Sequence, residues 1–160
     1  MQPVLYKKQH EQAIAEGEQA LILDPNFANG YSTLAEILIF AGRLEDAIKV
    51  AEKAMRLDPR NAIFYSFQLG HIYHLMGLHE EALTAFKRIL TRHPNHVATH
   101  RHLAAIYGEL GREEEARAEG ATVLRLAPDS SLEIMRQRFP YKDPAALERY
   151  LDGLRKAGLK

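Results

Sequence analysis

The sequence AGRLEDAIKVAEKAMRLDP at residues 41–59 is the first of three related stretches, followed by MGLHEEALTAFKRILTRHP at 76–94 and LGREEEARAEGATVLRLAP at 110–128. Each stretch has glycine second, alanine seventh and proline last, so these residue types recur at intervals of 35 and 34. Ala13 and Pro25 continue the alanine and proline series 34 residues upstream. A period near 34 residues with these markers indicates a stack of helix pairs.

The residues before each glycine have helical spacing. In the first repeat, apolar residues at i, i+3, i+4 and i+7 form one face of a helix: Tyr31, Leu34, Ala35 and Leu38. We expect Gly42 to end this helix, because glycine tolerates the left-handed conformation found at helix C-termini. Pro59 ends the second helix, since proline disfavours helical geometry in the preceding residue and lacks an N–H donor.

The composition restricts the possible classes of function. The 160 residues suit one domain, and 21 basic residues balance 21 acidic ones. A protein with general affinity for nucleic acid or anionic membranes needs a basic excess, which this chain lacks. The chain has no cysteine, so disulfides and thiolate chemistry are excluded. No apolar run is long enough to span a bilayer, and the first ten residues lack the apolar core of a signal peptide. These features favour a cytoplasmic protein.

Roughly residues 10 to 128 resemble the tetratricopeptide repeat (TPR) family. The third repeat carries that family's pattern of Leu, small residue, Tyr, Gly, Ala and Pro at Leu103, Ala104, Tyr107, Gly111, Ala116 and Pro128. His100 and Gly120 depart from the pattern, because the family prefers larger apolar residues there. We interpret Gly17 and Gly120, each within a helix, as sites of close packing against a neighbour. The resemblance implies an all-α fold: a right-handed superhelical solenoid of antiparallel helix pairs with C-terminal capping helices.

The period divides the chain into five parts. Residues 1–27 form a partial leading repeat that has only its second helix, and 28–61, 62–96 and 97–128 are the three full repeats. Residues 129–160 form capping helices that we expect to cover the exposed flank of the third repeat. Ser130 or Ser131 caps the first capping helix, and Asp143-Pro144 begins the second.

The tail RFPYKDPAALERYLDGLRKAGL, at residues 138–159, resembles the C-terminal tail of bacterial multidomain proteins related to class III adenylate/guanylate cyclases. The one-residue insertion before Phe64 is also similar to that group. The resemblance implies that this chain is the C-terminal repeat segment of such a signalling protein. The resemblance does not imply that this chain is catalytic. A cyclase domain is a mixed α/β domain with metal-binding aspartates, and no segment here can form one.

The TPR resemblance implies that the first helices line a concave groove. Its groove-facing positions have a mixed, partly aromatic chemistry, and they are Asn29, Ser32, Thr33, Glu36, Ile39, Phe40, Phe64, Phe67, Gln68, His71, His74, Leu75, Ala98, Arg101, His102, Ala105 and Glu109. Aromatic residues with polar surroundings are typical of binding hot spots. Phe64 and Phe67 could instead pack between repeats, and the pattern leaves both readings open. Ser32 and Glu36 stand where the chaperone-tail-binding subfamily has Lys and Asn, which argues against that role.

Seven of the eight histidines lie between residues 71 and 102. The pairs His71/His74 and His96/His100 have spacings that place both rings on one helical face. Such a pair can chelate zinc, but neither an HExxH motif nor a cysteine accompanies it. Solvated or packed histidines and a pH-sensitive binding patch are the alternatives. We expect no metal and no other cofactor.

Three hypotheses for function remain. The first is a non-catalytic protein-interaction module that binds a peptide or partner domain in the groove. The second is self-association into a homodimer, because the face formed by Ala13, Ile14, Gly17 and Leu21 is left partly uncovered by the incomplete first repeat. The third, an enzyme, is disfavoured because the chain has neither a nucleophile motif nor a phosphate-binding glycine loop.

Overall fold

The structure, a computed structural model, describes residues 3–160, with side chains from Gln9 onward. This part of the chain is all-helical and contains no strand. The helices are α1 (Pro3–Leu23), α2 (Ala28–Phe40), α3 (Leu44–Leu57), α4 (Ala62–Leu75), α5 (His79–Leu90), α6 (Val97–Glu109), α7 (Glu113–Leu126), α8 (Leu132–Arg138) and α9 (Pro144–Lys156). The pairs α2–α3, α4–α5 and α6–α7 stack into a solenoid, with α1 before them and α8 and α9 after them.

The repeated glycines end the first helix of each pair, as predicted. Gly42, Gly77 and Gly111 have φ angles of 79°, 76° and 71°, which are left-handed values. At the first of these turns the Gly42 N–H donates to the Ile39 carbonyl at 3.0 Å, and the Arg43 N–H donates to the Leu38 carbonyl at 2.9 Å. The last carbonyls of α2 are therefore satisfied within the turn.

Small residues of the three full repeats lie in the core. Ala35, Ala47, Ala82, Ala104 and Ala116 are all completely buried. Larger side chains fill the remaining space in two clusters, one around α1, α2 and the start of α3, and one that extends from α5 to the end of the chain. The core is therefore a strip along the stack, as expected for a repeat protein.

The α1 helix packs its apolar side against α2. Ile14 and Leu21 are 3% and 9% exposed, and Ala13 and Gly17 are half-buried. The expectation that this face is partly uncovered is therefore wrong for the two large residues, because they pack into the first core cluster. The exposed apolar side chains lie instead at the end of α1 and in the following turn, at Ile22, Leu23 and Phe27.

The helix starts in the C-terminal tail match the prediction. The Ser131 side chain accepts a hydrogen bond from the Ile134 N–H at 3.2 Å, and Asp143 accepts one from the Ala145 N–H at 2.9 Å. Both bonds satisfy N–H groups that the first turn of a helix leaves without partners. Pro144 occupies the first turn of α9, where its lack of an N–H costs nothing.

The position of α9 differs from the simple flank cap that the sequence led us to expect. This helix reaches the side of α7, but most of its contact is with α6, where it covers groove positions. A Cβ atom on Gly108 would overlap the carbonyl oxygen of Gly153, and one on Gly153 would overlap that of Ala105. The two backbones are therefore in direct contact, and α9 occupies the groove side of the third pair.

The connection between α8 and α9 returns to the first helix pair. We call residues 139–142 the strap. The Lys142 N–H donates to the carbonyl oxygen of Phe40, the last residue of α2, at 2.8 Å. The Pro140 carbonyl oxygen shares a 2.6 Å hydrogen bond with Nε2 of His10 on α1. The tail thus crosses the helical stack from its last pair back to its first.

We expect Gly120→Ala to destabilise the protein by about 1–3 kcal/mol, because its Cβ would overlap the backbone oxygen of Ala157 just after α9. This loss outweighs the gain in helix propensity, which is at most about 1 kcal/mol. Gly17→Ala is the matched control, because Gly17 lies at the equivalent point of α1 and the nearest atoms to its Cβ would belong to the Leu34 side chain, with Cδ1 closest at 3.1 Å.

Urea unfolding of both variants measures the difference. We expect the free energy of unfolding of the Gly17→Ala protein to stay within about 1 kcal/mol of the wild-type value, since a leucine methyl can move whereas a helix backbone cannot. Equal stability of the two variants would contradict the proposed backbone contact of α7 with the end of α9.

Candidate functional site

The predicted groove positions surround a cavity of about 420 Å³ between the first helices and the tail. Most of the predicted residues line it: Asn29, Ser32, Glu36, Ile39, Phe40, Phe64, Phe67, Gln68, His71, Ala98, Arg101 and His102. Phe139, Tyr141 and Tyr150 complete the wall from the tail. Sequence reasoning missed these three aromatic residues, because nothing in the repeat pattern indicates where the tail docks.

Five predicted positions lie elsewhere. Leu75 and Ala105 do not line this cavity, and Ala105 is completely buried against the backbone of α9. Thr33 borders a second cavity, of about 460 Å³, between α1, α2 and the strap. His74 and Glu109 do not line the first cavity, and their side chains are only 4% and 11% exposed. They lie on the part of the groove that α9 covers, which a sequence-based assignment of groove positions could not detect.

Polar side chains form the end of the cavity nearest α2. Gln68 and Ser32 share a 3.1 Å hydrogen bond between α4 and α2. The Tyr65 hydroxyl lies within hydrogen-bonding distance of two side chains, 3.1 Å from Asn29 Oδ1 and 3.0 Å from Asp58 Oδ2. These bonds fix the spacing of the first two pairs, while Glu36 stays exposed at the cavity edge.

The two phenylalanines of α4 have different roles. The Phe67 ring lies 5.5 Å from that of Phe86 and 5.4 Å from that of His102, so it packs between the second and third pairs. Phe64 is 47% exposed, and its ring lies 4.7 Å from that of His93. Phe67 therefore forms the floor of the cavity, and Phe64 presents an aromatic surface at its edge.

Most of the clustered histidines are buried and packed. His71 and His74 both contact His102, with ring centroids 4.5 Å and 5.5 Å away. His74 Nε2 and His79 Nε2 each lie 2.9 Å from an oxygen of Glu109. Among the side chains that the structure describes, His, Cys, Asp and Glu form no group of three or more that could hold a metal ion.

His96 and His100 do not share one helical face. His96 precedes α6 and caps it, with Nδ1 only 2.7 Å from the Thr99 hydroxyl. His100 lies inside α6 and turns towards α7, where Nδ1 is 2.5 Å from a Glu119 oxygen. The spacing rule for helical neighbours fails here because His96 is outside the helix. His100 replaces the larger apolar residue of the TPR pattern with this polar contact.

Burial keeps two rings of the cluster neutral. It lowers the pKa of His71 to about 3 and lowers the pKa of His102 well below its usual value. Burial also raises the pKa of the Tyr141 hydroxyl well above its usual value. The 2.6 Å hydrogen bond between His71 Nε2 and the Tyr141 hydroxyl thus joins two neutral groups.

Arg101 is the charged residue of the cavity wall on α6. Its Nε atom is buried and has no hydrogen-bond partner among the described residues. Its guanidinium carbon lies 5.6 Å from the centre of the Phe139 ring. A buried donor without an acceptor is costly, so an acceptor group that reached this atom would stabilise the site.

The sequence profile of the tetratricopeptide repeat matches residues 26–92 and, in a second register, 60–129. The chain belongs to the tetratricopeptide repeat family. TPR domains bind protein or peptide partners, and members of the family are generally non-catalytic. No helix in residues 3–160 is both long enough and apolar enough to cross a membrane.

Solved structures share this TPR fold. The chain is 25% identical to TTC0263 from Thermus thermophilus, with a TM-score of 0.66 over 94% of this chain and 75% of that one. MamA is 18% identical, with a TM-score of 0.63 over 94% and 88% of the two chains. YrrB, described as a TPR protein with an unusual peptide-binding site, is 22% identical, with a TM-score of 0.57 over 94% and 77%. A sequence comparison with curated proteins found no match.

The buried His71 ring should make the protein less stable in acid. Its pKa of about 3 in the folded state lies below the ordinary value of 6.5, so below pH 6.5 the unfolded chain binds a proton that the folded protein does not. The free energy of unfolding is therefore unaffected above pH 6.5 and falls as the pH drops from 6.5 towards 3. At pH 5 the loss from this one ring is about 2 kcal/mol.

His71→Gln tests this effect, because glutamine keeps a hydrogen-bonding group but does not titrate. Urea unfolding at pH 7.5 and pH 5.0 should show that the variant loses about 2 kcal/mol less than wild type over this interval. Between pH 7.5 and 8.5 the free energies of unfolding of the two proteins should change equally. The same loss for both proteins at pH 5.0 would contradict the burial of a neutral His71.

Proposed function

We propose that this TPR chain is a non-catalytic interaction module that binds a peptide or a segment of a partner protein in the cavity between its first helices and its tail. The cavity of about 420 Å³ supports this proposal, because it is in the size range of ligand-binding clefts and combines an aromatic floor with polar edges. The peptide-binding site named for YrrB, a protein of similar fold, is consistent with it.

The observation that carries the proposal is the buried Nε of Arg101, which has no acceptor among the described residues. A ligand carboxylate or carbonyl oxygen would satisfy this donor, and hydrogen bonds to charged groups contribute about 1.5–3 kcal/mol. Phe64, which is 47% exposed, offers an aromatic contact to the same ligand. Glu36 at the opposite edge disfavours a uniformly acidic ligand and favours one that carries both signs of charge.

We further propose that the chain is the C-terminal segment of a cytoplasmic, bacterial, cyclase-like signalling protein. The support for this is the likeness of residues 138–159 to the tails of that group. On this proposal 1–27 is a partial leading repeat, 28–61, 62–96 and 97–128 are the binding repeats, and 129–160 forms the capping helices. The repeats would then bring a partner protein to the cyclase-like domain without contributing to its catalysis.

Self-association is a second candidate, favoured by the apolar side chains at the end of α1. Ile22 and Leu23 are 70% and 79% exposed, and Phe27 is 47% exposed. Three neighbouring apolar residues of this kind are a surface that a second copy can cover.

Arg101→Gln tests the groove proposal. Peptides selected from a random library on the intact protein should bind the variant at least tenfold more weakly, because the loss of one charge-assisted hydrogen bond corresponds to about 1.4 kcal/mol or more. Isothermal titration calorimetry measures the affinities. Arg125→Gln is the matched control, since Arg125 is an exposed residue of α7 that does not line the cavity. Unchanged affinity for the Arg101 variant would mean that the ligand binds elsewhere.

Light scattering tests the second candidate. A dimer that depends on the end of α1 should dissociate in the Ile22→Ser/Leu23→Ser variant, because the change removes two strongly exposed apolar side chains there. A monomeric mass for wild type at high protein concentration would rule this candidate out.

A further inference from the structure

The strap, residues 139–142, lies on groove positions of α2 and α4. The Tyr141 ring meets that of Phe40 edge-on with centroids 4.8 Å apart, and its hydroxyl lies 2.6 Å from His71 Nε2. The Phe139 ring stacks on that of Phe40 with centroids 6.3 Å apart. Both contacted residues belong to the groove surface that the TPR resemblance assigns to ligands. The chain therefore occupies part of its own groove.

The strap makes its contacts as a bound peptide would. It lies between α8 and α9 and is neither helix nor strand. One main-chain donor, the Lys142 N–H, bonds to the Phe40 carbonyl at 2.8 Å, and one main-chain acceptor, the Pro140 carbonyl, bonds to His10 at 2.6 Å. Main-chain hydrogen bonds combined with pockets for alternate side chains are the usual mode of recognition of an extended peptide.

The strap is held separately from the helix that follows it. In α9, Leu151 and Leu154 are completely buried, and Gly153 contacts the α6 backbone. In the strap, by contrast, Pro140 and Lys142 are exposed. Release of the strap breaks its hydrogen bonds and the contact of the Phe139 ring with that of Tyr150, whose centroids are 5.8 Å apart, but keeps the buried leucines and the backbone contact of α9. The local opening free energy is therefore lower than that of α9.

Open space lies on both sides of the strap. The cavity of about 420 Å³ lies on its α4 side, and the cavity of about 460 Å³ lies on its α1 side. Phe40 and Phe139 line both cavities, so the stacked pair of rings is the partition between them. Movement of Phe139 and Tyr141 out of the groove would join the two cavities into one longer channel.

We propose that the strap is a displaceable internal ligand, and that its site on Phe40 and His71 receives an aromatic–Pro–aromatic segment of a partner protein. His71 hydrogen-bonds to the hydroxyl of the second aromatic residue, so this position selects tyrosine over phenylalanine. Proline suits the middle position because the hydrogen bond there uses the carbonyl oxygen, so the missing N–H donor of proline is not needed. This inference rests on the proposed function only in taking the groove as the binding surface.

The strap makes partner binding competitive. A tethered segment has an effective concentration in the millimolar range, so it outcompetes a free peptide of equal intrinsic affinity until that peptide reaches a similar concentration. The apparent affinity of a partner equals its intrinsic affinity multiplied by the fraction of molecules in which the strap is released. A partner with additional contacts, for example to Arg101, would overcome this competition.

Hydrogen exchange of the intact wild-type chain tests whether the strap opens by itself. The Lys142 amide, bonded to Phe40, should exchange at least 100-fold faster than the Leu151 and Leu154 amides of α9, after correction for intrinsic rates. Equal protection of these three amides would mean that the strap leaves only when α9 unfolds, and this outcome would overturn the proposal.

A peptide added in trans tests the site. The full-length Phe139→Ser/Tyr141→Ser variant should bind a fluorescein-labelled peptide QRFPYKDP, residues 137–144, at least tenfold more tightly than wild type in fluorescence anisotropy. A peptide with serine in place of tyrosine should bind this double variant at least tenfold more weakly. The original peptide should also bind at least tenfold more weakly to a triple variant that adds His71→Leu. Leu124→Ser is the matched control, because Leu124 is an exposed apolar residue of α7, and it should behave like wild type.

Two outcomes of this experiment overturn the proposal. One is that the strap variant keeps its α9 amides protected but does not bind the peptide. The other is that the variant loses the protection of α9, which would make the strap a structural element that cannot be released. The proposed function fails independently, when Arg101→Gln leaves binding of the library-selected peptides unchanged.

Discussion

The direct backbone contact between α9 and the third helix pair is the constraint on which the rest of the site depends. Gly108 and Gly153 face each other across α6 and α9, and Gly120 faces the Ala157 carbonyl from α7. Without Cβ atoms at these positions, α9 can lie directly on the groove side of α6. A side chain at any of them would move α9 outward, because a helix backbone cannot yield as a side chain can.

This placement of α9 determines the chemistry of the groove. It buries the Glu109 contacts with His74 and His79, so these groups act in packing instead of facing a ligand. It also brings Tyr150 against His102, with ring centroids 5.2 Å apart. What remains open is the part of the groove along α2 and α4 together with Arg101. The accessible surface is therefore narrower, and more aromatic, than a bare stack of three helix pairs would present.

Several features of the fold could be predicted because they depend on neighbours in the sequence. The turn at Gly42 requires a residue that tolerates the left-handed conformation. The cap at Asp143 requires a short side chain that accepts a hydrogen bond from a free N–H group of the first helical turn. The departures from the TPR pattern at His100 and Gly120 can also be seen in the sequence. Close packing at Gly120 was predicted and is confirmed, but the element that packs there, the end of α9, could not be identified from the repeat pattern.

The amino-acid sequence was enough to predict the helices, their ends and their pairing, and the TPR resemblance added the positions that could face a groove. Tertiary structure alone decided which of those positions stay accessible, because contacts such as Tyr141 with His71 join residues 70 positions apart. The physical reason is that helical periodicity and capping act over a few residues, whereas the docking of a tail depends on the shape of a surface that exists only after the repeats have stacked.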